Sequence, residues 1–572
     1  MIKITINNRS IDAKENTSIL NIAKQNNIHI PTLCYYPDLD IKSDCRICVV
    51  EIVGQKGLVT ACSTIAREGM EIRTNSPRVL NARKTITELI LSNHDANCTA
   101  CVRNMRCELQ SLANRLGIDV NRFDYVLDEK PIDTSSPSLI RNMNRCIKCG
   151  RCVDVCRSVQ GCSVLDIMGR GHDVTISTAY GKPLAEVFCT YCGQCASVCP
   201  VGAIVEKDDT DRVWDAIHDP QKHVIVQVAP SIRVSLGEEL GLHFGSIVTG
   251  KLIAALKMLG FCRVFDTNFT ADLTIIEEGH ELIRRLEEGK NIPVITSCCP
   301  GWINYAEHLY PEILDHLSTC KSPQQMFGAL AKTYYAQREN INPDDIYVVS
   351  IMPCTAKKFE AARPEMSVNA KDPDVNAVLT TRELAKMIKQ MGINFDSLKE
   401  EKFDKPDEVT SGAAAIFGTT GGVMEAALRT VVEILNHQPL ENIEFETVRG
   451  MSHIKEAEVM IGDQPIKVAV VHTLGYAKVI AEQVKNGTSP YTFIEVMACP
   501  GGCVGGGGQP YGTTEEVVRE RIHSIYSIDR LTRIRKSHDN AAVSNLYSQY
   551  LGEPNGEIAH KLLHTHYKDK RR

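Results

Sequence analysis

Thr296-Ser297-Cys298-Cys299-Pro300-Gly301-Trp302 is the stretch on which the reading of this chain turns. Two adjacent cysteines, the second before a proline, follow the short apolar run Pro293 to Ile295 and a threonine. A thiolate at the end of a strand is well placed to hold a metal cluster in a cleft, and a free thiol beside it can carry a proton. Two further segments repeat this chemistry. Met352-Pro353-Cys354-Thr355-Ala356-Lys357-Lys358-Phe359-Glu360 follows the apolar run Ile346 to Ile351. Glu495-Val496-Met497-Ala498-Cys499-Pro500-Gly501-Gly502-Cys503, with Gly505 to Gly508 behind it, follows Tyr491 to Ile494. If these runs are parallel strands of an open α/β sheet, every cysteine emerges at a strand carboxyl end, where such folds place their sites.

A chain of 572 residues is too long for one core and divides into several domains. Apolar content of 43% and charged content of 23% are those of a soluble globular protein. A net charge of −6 implies no large basic face, so nucleic acid is not an expected partner. The basic end, Lys568-Asp569-Lys570-Arg571-Arg572, reads as a solvated tail. No apolar run approaches the ~18 residues that cross a membrane, and the start, Met1 to Ile6, alternates like a strand and lacks a signal peptide's apolar block. The expected location is the cytoplasm. Cysteine is the outlier: there are 23, an odd number, mostly in tight Cys-x-x-Cys groups. That pattern suits metal binding in a reducing compartment rather than disulfides.

Taken in order, Cys34, Cys45, Cys48 and Cys62 lie among short alternating segments (Lys3 to Asn7, Cys48 to Val53, Gly57 to Ala61) and a predicted helix at Ser18 to Asn27. Four thiolates with one Cys-x-x-Cys pair suit a [2Fe-2S] cluster; a structural zinc site is the alternative. A predicted helix, Val79 to Asn93, ends at His94, and Cys98, Cys101 and Cys107 follow. Three cysteines in one loop need a fourth donor, which His94 can supply. Cys146, Cys149, Cys152 and Cys156 then repeat the spacing of Cys189, Cys192, Cys195 and Cys199. In this doubled pattern the fourth cysteine of each run serves the other cluster. One [4Fe-4S] cube is thus assigned Cys146, Cys149, Cys152 and Cys199, and the second Cys156, Cys189, Cys192 and Cys195. Arg157 stands where the first run usually has proline, and Cys162 reads as a spectator. From about residue 210 longer α/β alternation begins, with buried strands expected at Val224 to Val228, Val264 to Asp266, Ile346 to Met352, Lys467 to His472 and Thr492 to Met497. Helices are expected at Leu252 to Leu259 and Glu281 to Glu288, and the charged Lys399 to Asp407 reads as a surface loop.

The three opening segments match, with no mismatch at a fixed position, the TSCCPxW, MPCxxKxxE and ExxACxxGCxxGGGxP signatures of the [FeFe]-hydrogenases. With the upstream cysteine order, the resemblance covers essentially the whole chain and is closest to the single-chain clostridial type. It implies a multidomain α+β and α/β protein: a β-grasp [2Fe-2S] ferredoxin domain (1–78), a His-Cys₃ [4Fe-4S] domain (79–126), a bacterial-type 2[4Fe-4S] ferredoxin domain (127–209) and a two-lobed α/β catalytic domain (210–572). Cys299, Cys354, Cys499 and Cys503 would bind a further [4Fe-4S] cube, and the resemblance makes Cys503 the bridge to a two-iron subcluster carrying CO, CN⁻ and an amine-containing dithiolate. Together these form the H-cluster, whose two-iron part dedicated maturation proteins install. Lys357 would donate to one cyanide and the turn Ala229-Pro230-Ser231 to the other. Met352, Pro353, Phe417 and Met497 would wall the site.

Proton delivery needs titratable groups in sequence. The resemblance implies Cys298 as the last donor, reached through Glu278, Glu281, Ser318 and Arg285. Glu278 and Glu281 share a helix face and Arg285 follows Glu281 at i+4. The expected reaction is 2H⁺ + 2e⁻ ⇌ H₂, with ferredoxin or flavodoxin as redox partner. Ferredoxin potentials of roughly −400 mV make such a chain plausible. Cys320, close to Ser318, reads as a small buried residue with an oxygen-response role as a weaker hypothesis. Three rivals stand: an iron–sulfur assembly scaffold, which has no reason to retain Cys298, Lys357 or the glutamate pair; the catalytic subunit of a bifurcating NAD-linked complex, which usually carries an extra C-terminal [2Fe-2S] module, whereas no cysteine follows Cys503 here; and a hydrogen sensor. The stretch Ser537 to His564 resembles a part that is a separate small subunit in some periplasmic enzymes.

Overall fold

In the computed structural model of the chain, residues 1–405, 410–461 and 464–571 are described. The N-terminal part is a five-stranded mixed sheet in the order Arg9–Ala13, Ile2–Ile6, Glu71–Arg73, Val49–Ile52, Leu58–Thr60. The alternation of Ile2, Ile4 and Ile6 buries one face against the helix Ile19–Gln25, whose first turn is capped by Ser18 Oγ accepting from Asn21 N at 3.3 Å. A second helix, Pro77–Leu91, starts behind Ser76 with proline at its first position, where the missing N–H costs nothing. A smaller region follows, with a two-stranded sheet pairing Leu139–Arg141 to Ile204–Glu206 and another pairing Asp166–Met168 to Thr175–Ser177.

The remainder forms two four-stranded sheets, and the three cysteine segments follow strands of both. The first, all parallel, runs Arg263–Asp266, His223–Val228, Ile346–Met352, Ala377–Thr380. The second runs Val294–Ile295, Phe493–Met497, Gln464–His472, Ile454–Ile461, its last pair antiparallel. The central strands Ile346–Met352 and Phe493–Met497 are mostly apolar and buried almost throughout, as parallel strands between helical layers require.

Between the sheets lies the 22-residue helix Thr267–Glu288, capped by Asp266 and closed by Gly289 in the left-handed region at φ 63°. Only its last turns, Glu281 to Glu288, are predicted from the sequence. Its first half is buried on every side, so no polar face marks it. The C-terminal helices Ala541–Leu546 and Glu557–Leu563 pack on Phe269, Leu273 and Ile276 of that helix. The basic end is not a solvated tail. Lys570 Nζ pairs with Glu307 at 2.7 Å, and Arg571 with Glu312 at 2.7 Å. Lys399 to Lys405 is an irregular surface segment, whereas Pro406 and Asp407 of the predicted charged loop lie outside the described residues. Among the described residues no helix is long and apolar enough to cross a membrane.

Candidate active site

Three parallel strands from two sheets deliver five thiols to one cavity. Val294 and Ile295 pair with Phe493 and Ile494, and the chain leaves this strand through Thr296, whose Oγ1 accepts from Val496 N at 3.2 Å. Cys299 then caps the helix Pro300–Leu309. Cys354 lies two residues beyond Ile346–Met352, and Cys499 two residues beyond Phe493–Met497. The cavity is lined by Cys298, Cys299, Cys354, Cys499 and Cys503. Ala229, Pro230, Ser231, Met352, Pro353, Lys357, Phe417 and Met497 complete much of its wall.

Burial lifts all five thiols: Cys503 to about 12, Cys299 and Cys354 upward, Cys298 and Cys499 well above the ordinary range. Four close thiols in a dry pocket stay protonated unless a metal supplies positive charge, and a metal-bound thiol is deprotonated outright. The donor set therefore fits a thiophilic cluster. So do two polar details. Ala498 N donates to Cys299 Sγ at 3.4 Å, and Ser231 Oγ is buried at this cavity with no protein partner. Lys357 is buried, and desolvation alone would lower its pKa. The charge and hydrogen bonds of Glu360, with Cys354 and Cys298 behind, outweigh that and raise it. Its Nζ donates to Glu360 at 2.9 Å and to Cys298 O at 3.1 Å.

Glu278 and Glu281 are wholly buried on the long helix, so neither is a solvated surface acid. Glu281 accepts from Arg285 at 2.6 Å, from Ser318 Oγ at 2.8 Å and from Thr319 Oγ1 at 3.0 Å. Glu278 is held up at about 8 by burial and the charges of Glu281 and Glu495, against the hydrogen bond of Ser318. Its Oε2 has no partner. Cys298 feels the Glu278 charge as the next contribution to its raised pKa after burial.

Comparison with known proteins decides the family. The model of the "Iron only hydrogenase large subunit, C-terminal domain" matches residues 222–507. Over its full length the chain is 47% identical to the NADP-reducing hydrogenase subunit HndD of Solidesulfovibrio fructosivorans, covering 100% of both. The chain belongs to the iron-only hydrogenase family. It is 42% identical to iron hydrogenase 1 of Clostridium pasteurianum, with 99% of this chain and 100% of that one covered. The solved apo [FeFe]-hydrogenase HydA1 from Chlamydomonas reinhardtii is 41% identical with a TM-score of 0.57, covering 64% of this chain and 99% of that one. This hydrogenase is thus an oxidoreductase that interconverts protons and H₂, with an H-cluster domain and ferredoxin-like iron–sulfur domains.

Family models also match residues 1–77 (2Fe-2S iron-sulfur cluster binding domain), 83–122 (NADH-ubiquinone oxidoreductase-G iron-sulfur binding region), 136–205 (NADH-quinone oxidoreductase subunit 3, ferredoxin-like domain) and 515–570 (iron hydrogenase small subunit). In the first, Cys48 and Cys62 Sγ lie 3.4 Å apart, and Cys34 N donates to Cys45 Sγ at 3.4 Å. In the second, burial drops His94 to about 4 and leaves its Nδ1 without a partner, in the same region as Cys98, Cys101 and Cys107. A neutral imidazole with a free nitrogen is what a metal ligand needs. In the third, one cavity is lined by Cys146, Cys149, Cys152 and Cys199, another by Cys156, Cys189, Cys192 and Cys195. Cys162 borders this second cavity.

Sequence reasoning passed over Glu360, Thr319 and His564. Glu360 was visible as the fixed acid of its own motif, three residues from Lys357, which it anchors. Thr319 and His564 carry no local signal.

Proposed function

We propose that this hydrogenase holds its H-cluster on Cys299, Cys354, Cys499 and Cys503, receives protons through Cys298 and receives electrons through four accessory clusters. The carrying observation is the convergence of those four thiols and a fifth, Cys298, in one buried cavity. When bound, the H-cluster supplies the redox-active irons and the base at which protons and electrons combine to H₂. The chain supplies the rest. Ser231, through its unpartnered hydroxyl, and Lys357, through a charge held by Glu360, face the cavity as donors to anionic ligands. Met352, Met497, Phe417, Pro353, Pro230 and Ala229 exclude water, which strengthens every polar contact inside. Cys298 gains and loses a proton at Sγ. Glu278, poised at about 8, exchanges with it, and Ser318 and Glu281 stand behind Glu278, with Arg285 fixing Glu281.

Cys34, Cys45, Cys48 and Cys62 would hold the [2Fe-2S] cluster, His94 with Cys98, Cys101 and Cys107 one [4Fe-4S] cube, and the two crossed cysteine sets the remaining two. The domain division is then 1–78, 79–126, 127–209 and 210–572. Ferredoxin or flavodoxin is the redox partner, maturation proteins install the two-iron group, and the cytoplasm is the location. An infrared spectrum of protein made with and without the maturation machinery tests the core of this: metal-bound CO and CN⁻ bands appear only with it, and their absence from fully matured protein refutes it.

One observation favours a second reading for the partner. The relative from S. fructosivorans is named as a subunit of an NADP-reducing hydrogenase, yet it is covered from end to end by this chain. A chain of this extent is therefore compatible with a role as one subunit of a nucleotide-linked assembly. Co-purification of a nucleotide-reducing partner with the chain from its own cells would favour that reading.

A further inference from the structure

The two cavities of the ferredoxin-like region differ in what lines them besides cysteine. Around Cys146, Cys149, Cys152 and Cys199 the other described lining residues are apolar or glycine. Around Cys156, Cys189, Cys192 and Cys195 the lining includes Gln160 and Arg141. The Gln160 side chain is 1% exposed, and neither its Nε2 nor its Oε1 has a protein partner. A buried amide left unpaired is costly, and native folds rarely keep one without a reason. Arg141 is buried too. Its Nε donates to Asp133 Oδ2 at 3.2 Å, while its Nη1 has no partner. Its charge reaches the ligands: burial raises the Cys189 thiol, and Arg141 acts against that rise. Cations stand near the first set as well, but outside its lining. Arg151 is bound by Glu108 at 2.7 and 2.9 Å, and Lys130 and Lys148 act on Cys146 from half-exposed positions.

The backbone holds Gln160 in place. Gln160 N donates to Val155 O and Cys162 N to Cys156 O, each at 3.0 Å. Cys162 Sγ donates to Gln160 O at 3.2 Å, so this thiol closes the turn. Gly161 stands at φ 62°, and a Cβ there would lie 3.1 Å from Gly475 Cα, so the turn is clamped against the catalytic domain. This second cavity also adjoins the catalytic site. Thr355 Oγ1, next to Cys354, donates to Tyr191 O at 2.7 Å, and Asn304 Nδ2 donates to Cys189 O at 2.9 Å. The first cavity abuts the N-terminal domain instead. Gly150 O accepts from Lys42 Nζ at 2.9 Å, and Arg151 Nη2 donates to Tyr35 O at 2.8 Å.

We propose that Gln160 Nε2 and Arg141 Nη1 are donors to the cube on Cys156, Cys189, Cys192 and Cys195, and that they set its reduction potential above that of the cube on Cys146, Cys149, Cys152 and Cys199. The proposal rests on the ligand assignment made above. Reduction adds one electron, and no bond to the protein is made or broken. N–H donors aimed at the sulfurs stabilise the added negative charge and so raise the potential, which an apolar lining does not do. An electron reaching this pair then rests on the side of the catalytic cavity rather than on the N-terminal side.

Redox titration of the matured enzyme, followed by the electron paramagnetic resonance of its reduced clusters, tests this. The signal lost in Cys195→Ala identifies the second cube and the signal lost in Cys149→Ala the first, both made with Cys162→Ser so that no neighbouring thiol substitutes. In the parent the second cube should titrate at the higher potential. Gln160→Leu should shift its reduction equilibrium about tenfold toward the oxidised form, about 59 mV for one electron, and leave the first cube and the iron content parental. Arg141→Met should move it in the same direction, and Gln160→Met replaces Gln160→Leu where leucine lowers iron content. A second cube unmoved in the Gln160 or the Arg141 variant at parental iron content overturns the proposal, as does a parent in which the first cube has the higher potential. The ligand assignment fails separately. If Cys195→Ala and Cys149→Ala keep every signal and full iron content, the assignment falls and the proposal with it; if each loses its own signal while Gln160→Leu moves nothing, only the proposal falls.

Discussion

Cys298 and Cys299 are neighbours in sequence with opposite proposed duties, and the surroundings of the two sulfurs differ. Both line the same cavity, but Cys299 accepts from Ala498 N, whereas the Cys298 thiol is raised by burial and next by the Glu278 charge. Cys298→Ala should therefore leave iron content near normal and abolish turnover; normal H₂ evolution by that variant would remove its role. Glu278 gives a pH prediction. Its folded pKa of about 8 is raised from the usual 4.5, so its contribution to stability is fully present below about 4.5 and is lost as pH rises through about 8. That interval corresponds to roughly 5 kcal/mol at about 1.36 kcal/mol per unit. Glu278→Gln removes the penalty, so its melting temperature relative to the parent should rise between pH 5 and 8. Parallel curves would show that Glu278 ionises normally. At this scale the proposed ligands of the accessory clusters were legible because short spacings join most of them in sequence. Thr319 and His564 were not, since 245 residues separate two atoms 2.7 Å apart.

The glycine run after Cys503 works as a single element. Gly505 O accepts from Gln194 Nε2 at 2.9 Å, and a Cβ on Gly507 would stand 2.2 Å from the carbonyl of Cys192. The run lets the catalytic domain and the ferredoxin-like region touch backbone to backbone, between the cavities of Cys192 and Cys503. Gly507→Ala should cost about 1–3 kcal/mol of stability by overpacking. It should also slow turnover with a protein donor more than turnover with a small dye that reaches the catalytic cluster directly. Equal loss with both donors would show that the contact is purely structural. The glycines were evident in the sequence, but their neighbour was not. The same gap explains the two sheets: each strand's apolar run shows that it is buried without naming the strands beside it.

At the scale of the whole molecule, the proposed electron route begins at the N-terminal sheet. The N-terminal sheet is tied to the catalytic part by Tyr36 donating to Thr513 O and by Asp38 accepting from Glu515 N at 3.0 Å. Cys48→Ser should lower ferredoxin-driven H₂ evolution several-fold and spare dye-driven evolution, if the [2Fe-2S] site is an entry point. Unchanged ferredoxin kinetics would place the entry elsewhere. The presence of ferredoxin-like iron–sulfur regions was legible from the cysteine groups, because each group is a local motif. The docked basic end was not, because Glu307 and Glu312 reach it only after folding.

The seam along Thr319–Lys321 and Leu563–Thr565 consists of backbone hydrogen bonds, reinforced by the packing of two helices. Nothing covalent crosses it. A polypeptide nicked just ahead of Glu515, where the small-subunit match begins, should stay assembled and active. The gene could be broken there into two reading frames without altering the enzyme they encode.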